Sequence, residues 1–405
     1  MTTVRRSPET IQLPRGYSFS AVTAGIKASG RPDLALIESA TPAAAAALFT
    51  KNRVVAAPLE VGRASLRKSS GRVRAVIVNS GNANCATGPA GRKACEEVCR
   101  HAARRLGVPA SQIFPSSTGI IGVLLPAEKI VAKLPGLVTH RASTAAAALT
   151  FAQAILTTDT RPKIAARRFR GGSQEITIFG VAKGAGMIHP QMATMLVYLL
   201  TNVDATPRQL RQLLVEACDP TLNAMSVDGD TSTNDTVLLL ANGTSKADVG
   251  NPEVRKRFSA ALSEVCQSLA EQIVSDGEGV KHVIRLFVEE ARNREEAMTV
   301  ARTIAHSALV KTAWAGADPN WGRILAAVGR CGLPIDPSRV TIWIGDQMVC
   351  CDGVAHPFEE RQAHDRLSEP ICDIRVQLRR GKSAIRFLTT DLTAEYVHIN
   401  ADYST

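Results

Sequence analysis

The sequence predicts a mixed α/β protein in layers, with sheets inside and helices outside. Three observations carry this. Short apolar runs with strand spacing alternate with longer amphipathic runs through both halves of the 405-residue chain. A glycine-containing loop, KGAGMIHPQMAT (183–194), runs straight into the apolar stretch MLVYLL (195–200). Aromatic residues make up only 4% of the chain, so the core must be built from Ala, Val, Leu and Ile, small enough to pack closely on a sheet.

The elements follow in order. Residues 74–78 form a strand that empties into the loop NSGNANCATG (79–88). Residues 91–106 read as a helix with Gly107 as its stop signal. The short alanine run 43–47 reads as a helical turn, and the alanine-rich run 142–155 as a helix. Residues 175–181 form the strand before the Lys183 loop. After residues 195–200, a helix over 207–216 has Thr206 as N-cap and Pro207 at its first position. A strand over 237–241, a long helix over 252–275, a strand over 280–288, a helix over 295–311 and a strand over 340–344 come next. Residues 375–378 and 382–388 flank Arg379-Arg380-Gly381 as a hairpin. Residues 164–174 (IAARRFRGGSQ) read as a basic surface insertion.

Composition narrows the function. No uncharged apolar run of about 18 residues occurs, so no membrane span is expected. The first residues carry two arginines but no apolar stretch of a secretory signal. Nine scattered cysteines without a framework suggest a reduced, cytoplasmic protein. The net charge is +11, but 26 Lys+Arg stand against 9 Asp+Glu up to Ala193, and 22 against 28 from Thr194 onward. That is +17 and −6, which favours association of the two segments through weak, salt-screened forces. A solvated basic face accounts for the excess equally well, and so does an anionic substrate. No zinc-finger spacing or basic-aromatic alternation points to nucleic acid.

Thr194 is the candidate nucleophile. A threonine hydroxyl needs a base beside it, and its own α-amine serves if the chain is cut just before it. Small Ala193 and the glycines upstream leave room for the hydroxyl to swing onto the preceding carbonyl. The freed amine has a pKa of about 8, close enough to neutrality to act as base. His189 is a second candidate base, made unnecessary by the amine. Asp228-Gly229-Asp230-Thr231 resembles the start of a calcium loop, but Leu239 occupies the twelfth position where a glutamate is needed. It is read as a structural turn near the nucleophile, as is Asp318-Pro319-Asn320-Trp321. Cys95 and Cys99, with Cys85 and His101 nearby, lack a fitting fourth metal ligand and are read as buried helix cysteines.

Nine blocks in order resemble the ornithine acetyltransferases, also called glutamate N-acetyltransferases, of arginine biosynthesis. Outside the 183–196 loop, which also resembles the family's cleavage site, they are GYSFSAVTAGIKASGRPDLALIES (16–39), FTKNRVVAAP (49–58), NSGNANCATG (79–88), STGIIG (117–122), TTDTRPK (157–163), DGDTSTNDT (228–236), DGEGVK (276–281), KTAWAGADPNWGR (311–323) and the tail from Asn400 to Thr405. The resemblance implies an α/β (α+β) fold: an αββα sandwich laid out like the N-terminal-nucleophile hydrolases, with a smaller C-terminal α/β lobe. It implies cleavage between Ala193 and Thr194 into residues 1–193 and 194–405, with two copies of each piece. It places the oxyanion hole on the Thr118 side chain and the Gly119 main chain. Substrate contacts fall on Thr157 (preferred to Thr158), Lys183, Thr194, Glu278, Asn400 and Thr405.

The implied reaction moves acetyl from N-acetylornithine to glutamate through an acetyl-threonine intermediate. Some members also use acetyl-CoA, and no metal or organic cofactor is required. Two rivals are a β-aminopeptidase-like hydrolase and an uncut amino-acid-binding protein.

Overall fold

The computed structural model describes residues 11–188 and 195–402. Strands β1 (Tyr17–Val22), β2 (Leu34–Phe49), β3 (Arg72–Asn82) and β4 (Ile113–Ile120) alternate with helices α1 (Ala57–Lys68) and α2 (Gly88–Leu106). Helices α3 (Ala127–Thr139) and α4 (Ala145–Ala154) lead to β5 (Lys163–Gly171) and β6 (Gln174–Lys183). Then come β7 (Leu196–Thr201), α5 (Pro207–Cys218), β8 (Thr236–Ala241) and α6 (Pro252–Val274). The remainder comprises β9 (Val283–Ala291), α7 (Arg294–Ala305), α8 (Ala308–Ala315), α9 (Trp321–Gly329), β10 (Thr341–Ile344) and β11 (Gln347–Cys351). It ends with β12 (Val354–Ala355), α10 (Glu360–Leu367), β13 (Ile371–Gln377), β14 (Ser383–Thr390) and α11 (Ala394–Asp402).

An eight-stranded sheet runs β4-β3-β2-β8-β7-β6-β5, with β1 added on β2. The 16-residue β2 belongs to both ends: residues 34–39 pair with β1, and residues 44–49 with β8. Its register shifts between Glu38 and Ala43, around Thr41-Pro42, where proline has no N–H to give the ladder. The sheet therefore turns back on itself.

Alternate side chains show the layers. Ile37, Val76, Val78, Phe179, Tyr198 and Leu240 share one core between the two halves of the sheet. Phe19 of β1 meets Phe179 of β6 edge-on across it, with centroids 5.7 Å apart. The opposite faces carry Leu36 and Ile77 against α2 and α3, and Leu199 and Leu239 against α5 and α6. The order helix, sheet, sheet, helix is the expected αββα sandwich. Each fully buried Leu or Ile contributes about 1.5–3 kcal/mol.

A second, six-stranded sheet, β12-β11-β10-β13-β9-β14, forms the C-terminal lobe with its own core, including Trp314 and Phe387. The buried Lys311 ties the lobe to the sandwich, donating to the Val227 carbonyl at 2.8 Å and the Thr390 hydroxyl at 3.0 Å. No helix among the described residues is long and apolar enough to cross a membrane.

Four expectations are corrected. The alanines at 43–47 lie in β2, buried alternately in the core between the sheet halves and in the core under α5 and α6, so burial and strand pairing override alanine's helix preference. Residues 164–174 are no loose insertion. They form β5 and its turn into β6, an edge strand whose arginines guard it. The helix over 295–311 breaks at His306-Ser307, where the Ser307 side chain caps α8. β13 and β14 are no hairpin, because β9 lies between them, parallel to β13 and antiparallel to β14. Cys95 and Cys99 are buried on α2 as expected.

Candidate active site

The carboxyl ends of β4 and β6 open into a cavity of about 330 Å3. Thr118, Gly119, Thr157, Lys183, Glu278 and Asn400 all line it, so six of the expected site residues are brought together. Thr158, the alternative to Thr157, also lines it. Thr194, Thr405 and His189 lie outside the described residues, as does the Ala193–Thr194 bond.

Lys183 ends β6 and is buried, its ammonium donating to the Thr157 hydroxyl at 2.7 Å and to the Thr118 hydroxyl at 3.4 Å. Because Thr118 accepts there, its own hydrogen is free for another acceptor. Gly119 follows with φ +133, and a Cβ there would sit 2.3 Å from the Gly81 carbonyl carbon, so no other residue fits beside β3. Across the cavity, Glu278 accepts from the Asn400 side chain at 2.8 Å, which fastens α11 over the site. Gly186 passes so close that a Cβ would lie 2.4 Å from the Glu278 carboxylate.

Behind Lys183 runs a buried chain of alternating charge. Asp159 lies 3.8 Å from the Lys183 ammonium and 2.5 Å from that of Lys163. Lys163, fully buried, is also 2.5 Å from Asp276. Burial alone would raise the Asp159 carboxyl, but the two ammoniums outweigh it and hold it well below the usual carboxylate range. Burial draws Lys183 below the usual lysine range, opposed by Asp159 and assisted by Lys163.

Three aspartates grip the loop around the expected cut. Asp159 accepts the Gly184 N–H at 2.6 Å. Asp228 accepts the N–H groups of Met187 and Ile188, the latter at 2.9 Å. Asp235 accepts the N–H of Met195 at 2.9 Å. Burial pushes Asp228 up to about 6, against its backbone hydrogen bonds, and pushes Asp235 well above the carboxylate range. The Asp228 segment is the turn near the loop that the sequence predicts, and it also lines the cavity. Asp318-Pro319-Asn320-Trp321 is structural, with the Asn320 side chain capping α9.

Asp159, Lys163, Asp276, Asn234, Asp235 and Tyr396 were not singled out from the sequence. Asp159 and Lys163 stand four apart in TTDTRPK, a spacing that marks an ion pair only once both are known to be buried. Asn234 and Asp235 stand in DGDTSTNDT, where nothing local tells a polar turn from a buried clamp.

Residues 18–405 match the family model described as the ArgJ family. The arginine biosynthesis bifunctional protein ArgJ of Methylococcus capsulatus is 43% identical over 394 residues, covering 96% of this chain and 95% of that protein. The protein of the same name from Thermus thermophilus is 45% identical over 397 residues, covering 98% of this chain and 100% of that protein. The solved ornithine acetyltransferase of Mycobacterium tuberculosis, complexed with ornithine, is 36% identical, with 45% of this chain and 94% of that chain covered and a TM-score of 0.39.

Proposed function

The chain belongs to the ArgJ family of arginine-biosynthesis acetyltransferases, and on that premise we propose that it cuts itself and transfers acetyl from N-acetylornithine to glutamate. The observation that carries this reading is the convergence of Thr118, Gly119, Thr157 and Lys183 on one cavity beside the pinned flanks of residues 189–194.

In maturation, the Thr194 hydroxyl attacks the Ala193 carbonyl, and water then opens the resulting ester. This frees the Thr194 amine and leaves a carboxylate on Ala193. In transfer, the amine takes the hydroxyl proton as the oxygen attacks the acetyl carbonyl. The Thr118 hydroxyl and Gly119 N–H stabilise the oxyanion. The C–N bond breaks, and the departing amine of ornithine receives the proton. The glutamate amine then attacks the acetyl ester, and N-acetylglutamate leaves as the hydroxyl is restored.

Lys183 supplies positive charge for a substrate carboxylate, and Thr157, whose hydroxyl it holds, contributes a polar contact. Glu278 and Asn400 receive the substrate's ammonium end, and Thr405 completes the tail's part of the site. Acetyl-CoA is a second acetyl donor compatible with the same intermediate. None of these steps calls on a metal or an organic cofactor.

Steady-state kinetics with N-acetylornithine and glutamate test the reading. Parallel double-reciprocal lines and N-acetylglutamate as product support it. Acetate release that glutamate does not suppress would instead indicate a hydrolase, and no turnover a binding protein.

A further inference from the structure

We infer that Asn234 and Asp235 are positioning residues that together set the spacing between Thr118 and Met195, the residue that follows the proposed nucleophile. The inference deepens the acyl-transfer reading and rests on it for its kinetic consequence.

Both residues are buried. The Asn234 side-chain amide donates to the Ser117 carbonyl at 2.9 Å and to the Ala83 carbonyl at 2.7 Å. The Ser117 carbonyl belongs to the peptide unit that ends in the N–H of Thr118. Asp235 accepts the Met195 N–H at 2.9 Å, which belongs to the peptide unit joining residues 194 and 195. Two neighbouring residues thus hold the peptide unit that leads into Thr118, whose hydroxyl is a proposed oxyanion donor, and the peptide unit that follows the proposed nucleophile. Their Cα atoms are about 3.8 Å apart, so little freedom remains between the two grips.

Asn234 lines the cavity, yet both hydrogens of its amide are directed at backbone carbonyls, and none is left for a substrate. The Asp235 bond is also more than ladder. The main-chain attachment of β7 to β8 reaches the Met195 carbonyl, which accepts the Thr236 N–H at 3.1 Å, and the Asp235 side chain carries it one peptide unit further, to the Met195 N–H. The main chain of the pair is fixed from the other side, with Thr50 N–H donating to the Asp235 carbonyl at 3.1 Å.

The test compares Asn234→Asp, Asp235→Ala and Asp235→Asn with wild type, by acetyl-transfer kinetics and by amide hydrogen exchange. A reacting atom misplaced by about 1 Å costs on the order of a hundredfold in rate. Asn234→Asp turns a donor to two carbonyls into an acceptor, and Asp235→Ala removes the second grip. Both are expected to lower kcat by about a hundredfold with KM near its wild-type value. Asp235→Asn keeps an acceptor oxygen and recovers most of the loss.

In exchange, the peptides spanning 113–120 and 195–201 lose protection together, while the C-terminal sheet is unchanged. Retained kcat in both disrupted variants, a loss confined to KM, or loss of protection in only one of the two segments would overturn the inference. If Asn234→Asp fails to fold, the two Asp235 variants decide between rescue and no rescue. If wild type transfers no acetyl, the acetyl-transfer reading falls, and the exchange pattern still judges the coupling.

Discussion

Lys183 meets two demands at once: its ammonium holds two threonine hydroxyls at the cavity wall, and Asp159 balances its charge from behind. The free hydrogen of Thr118 is the part of this arrangement that the proposed chemistry uses. Thr118→Ala is therefore expected to lower kcat by about a hundred- to a thousandfold, as loss of one oxyanion donor does. A fall seen only in KM would count against that role.

Asp228 makes a pH prediction. Its folded value of about 6 lies above the roughly 3.9 of an unfolded aspartate. Between these values the folded protein keeps a proton that the unfolded chain has released, so this group's contribution to stability falls as pH rises. Relative to Asp228→Asn, wild type should hold this contribution in full below about pH 4 and lose on the order of 3 kcal/mol towards neutrality. Thermal unfolding of both proteins across that range checks it, and parallel curves would refute it. At this scale the candidate site residues were legible, since Thr118, Lys183 and Glu278 stand in blocks that resemble the family, and one cavity gathers them. Their supports were not, because Asp159, Asn234 and Asp235 take their meaning from burial and from partners far along the chain.

Helix ends were legible because their signals are local. Thr206 caps α5 in a reciprocal box with Gln209, and Gly107 ends α2 at φ 65. Strand partners were not. The chain around Arg379-Arg380-Gly381 carries turn residues, but the neighbour of both flanking strands is β9, some ninety residues upstream. The alanine run in β2 likewise takes its place from burial on both faces of a paired strand, a property of the packed molecule.

The same scale holds the Asp159-Lys163-Asp276 chain, which joins the loop before β5, β5 itself and the end of α6. Lys163→Met would leave two buried carboxylates without their shared cation, at a cost of about 3–5 kcal/mol. Lys163→Met with Asp276→Asn removes charge in a pair and should destabilise less. Denaturant unfolding of the single and double variants decides this, and a double variant less stable than the single one would contradict it.

Over the whole molecule, the two proposed fragments are interleaved. β7 and β8 lie between β2 and β6 in one continuous sheet, hydrogen-bonded on both sides to strands from residues before 194. A cut at Ala193–Thr194 would sever one peptide bond and leave these ladders in place, so the fragments should stay together under native conditions. The opposite net charges, +17 before residue 194 and −6 from there on, add a weaker attraction. That sheets lie inside and helices outside was readable from the mix of apolar and amphipathic runs, and the αββα order from the family resemblance, whereas the insertion of β7 and β8 into the middle of the sheet was not.

Intact mass under denaturing conditions, taken after brief exposure to N-acetylornithine and beside a Thr194→Ala variant, tests the central claim most directly. The account predicts two wild-type fragments meeting at Ala193–Thr194, the second heavier by one acetyl group, and an uncut variant. A single uncut wild-type chain, or a cut chain that takes up no acetyl, would contradict it.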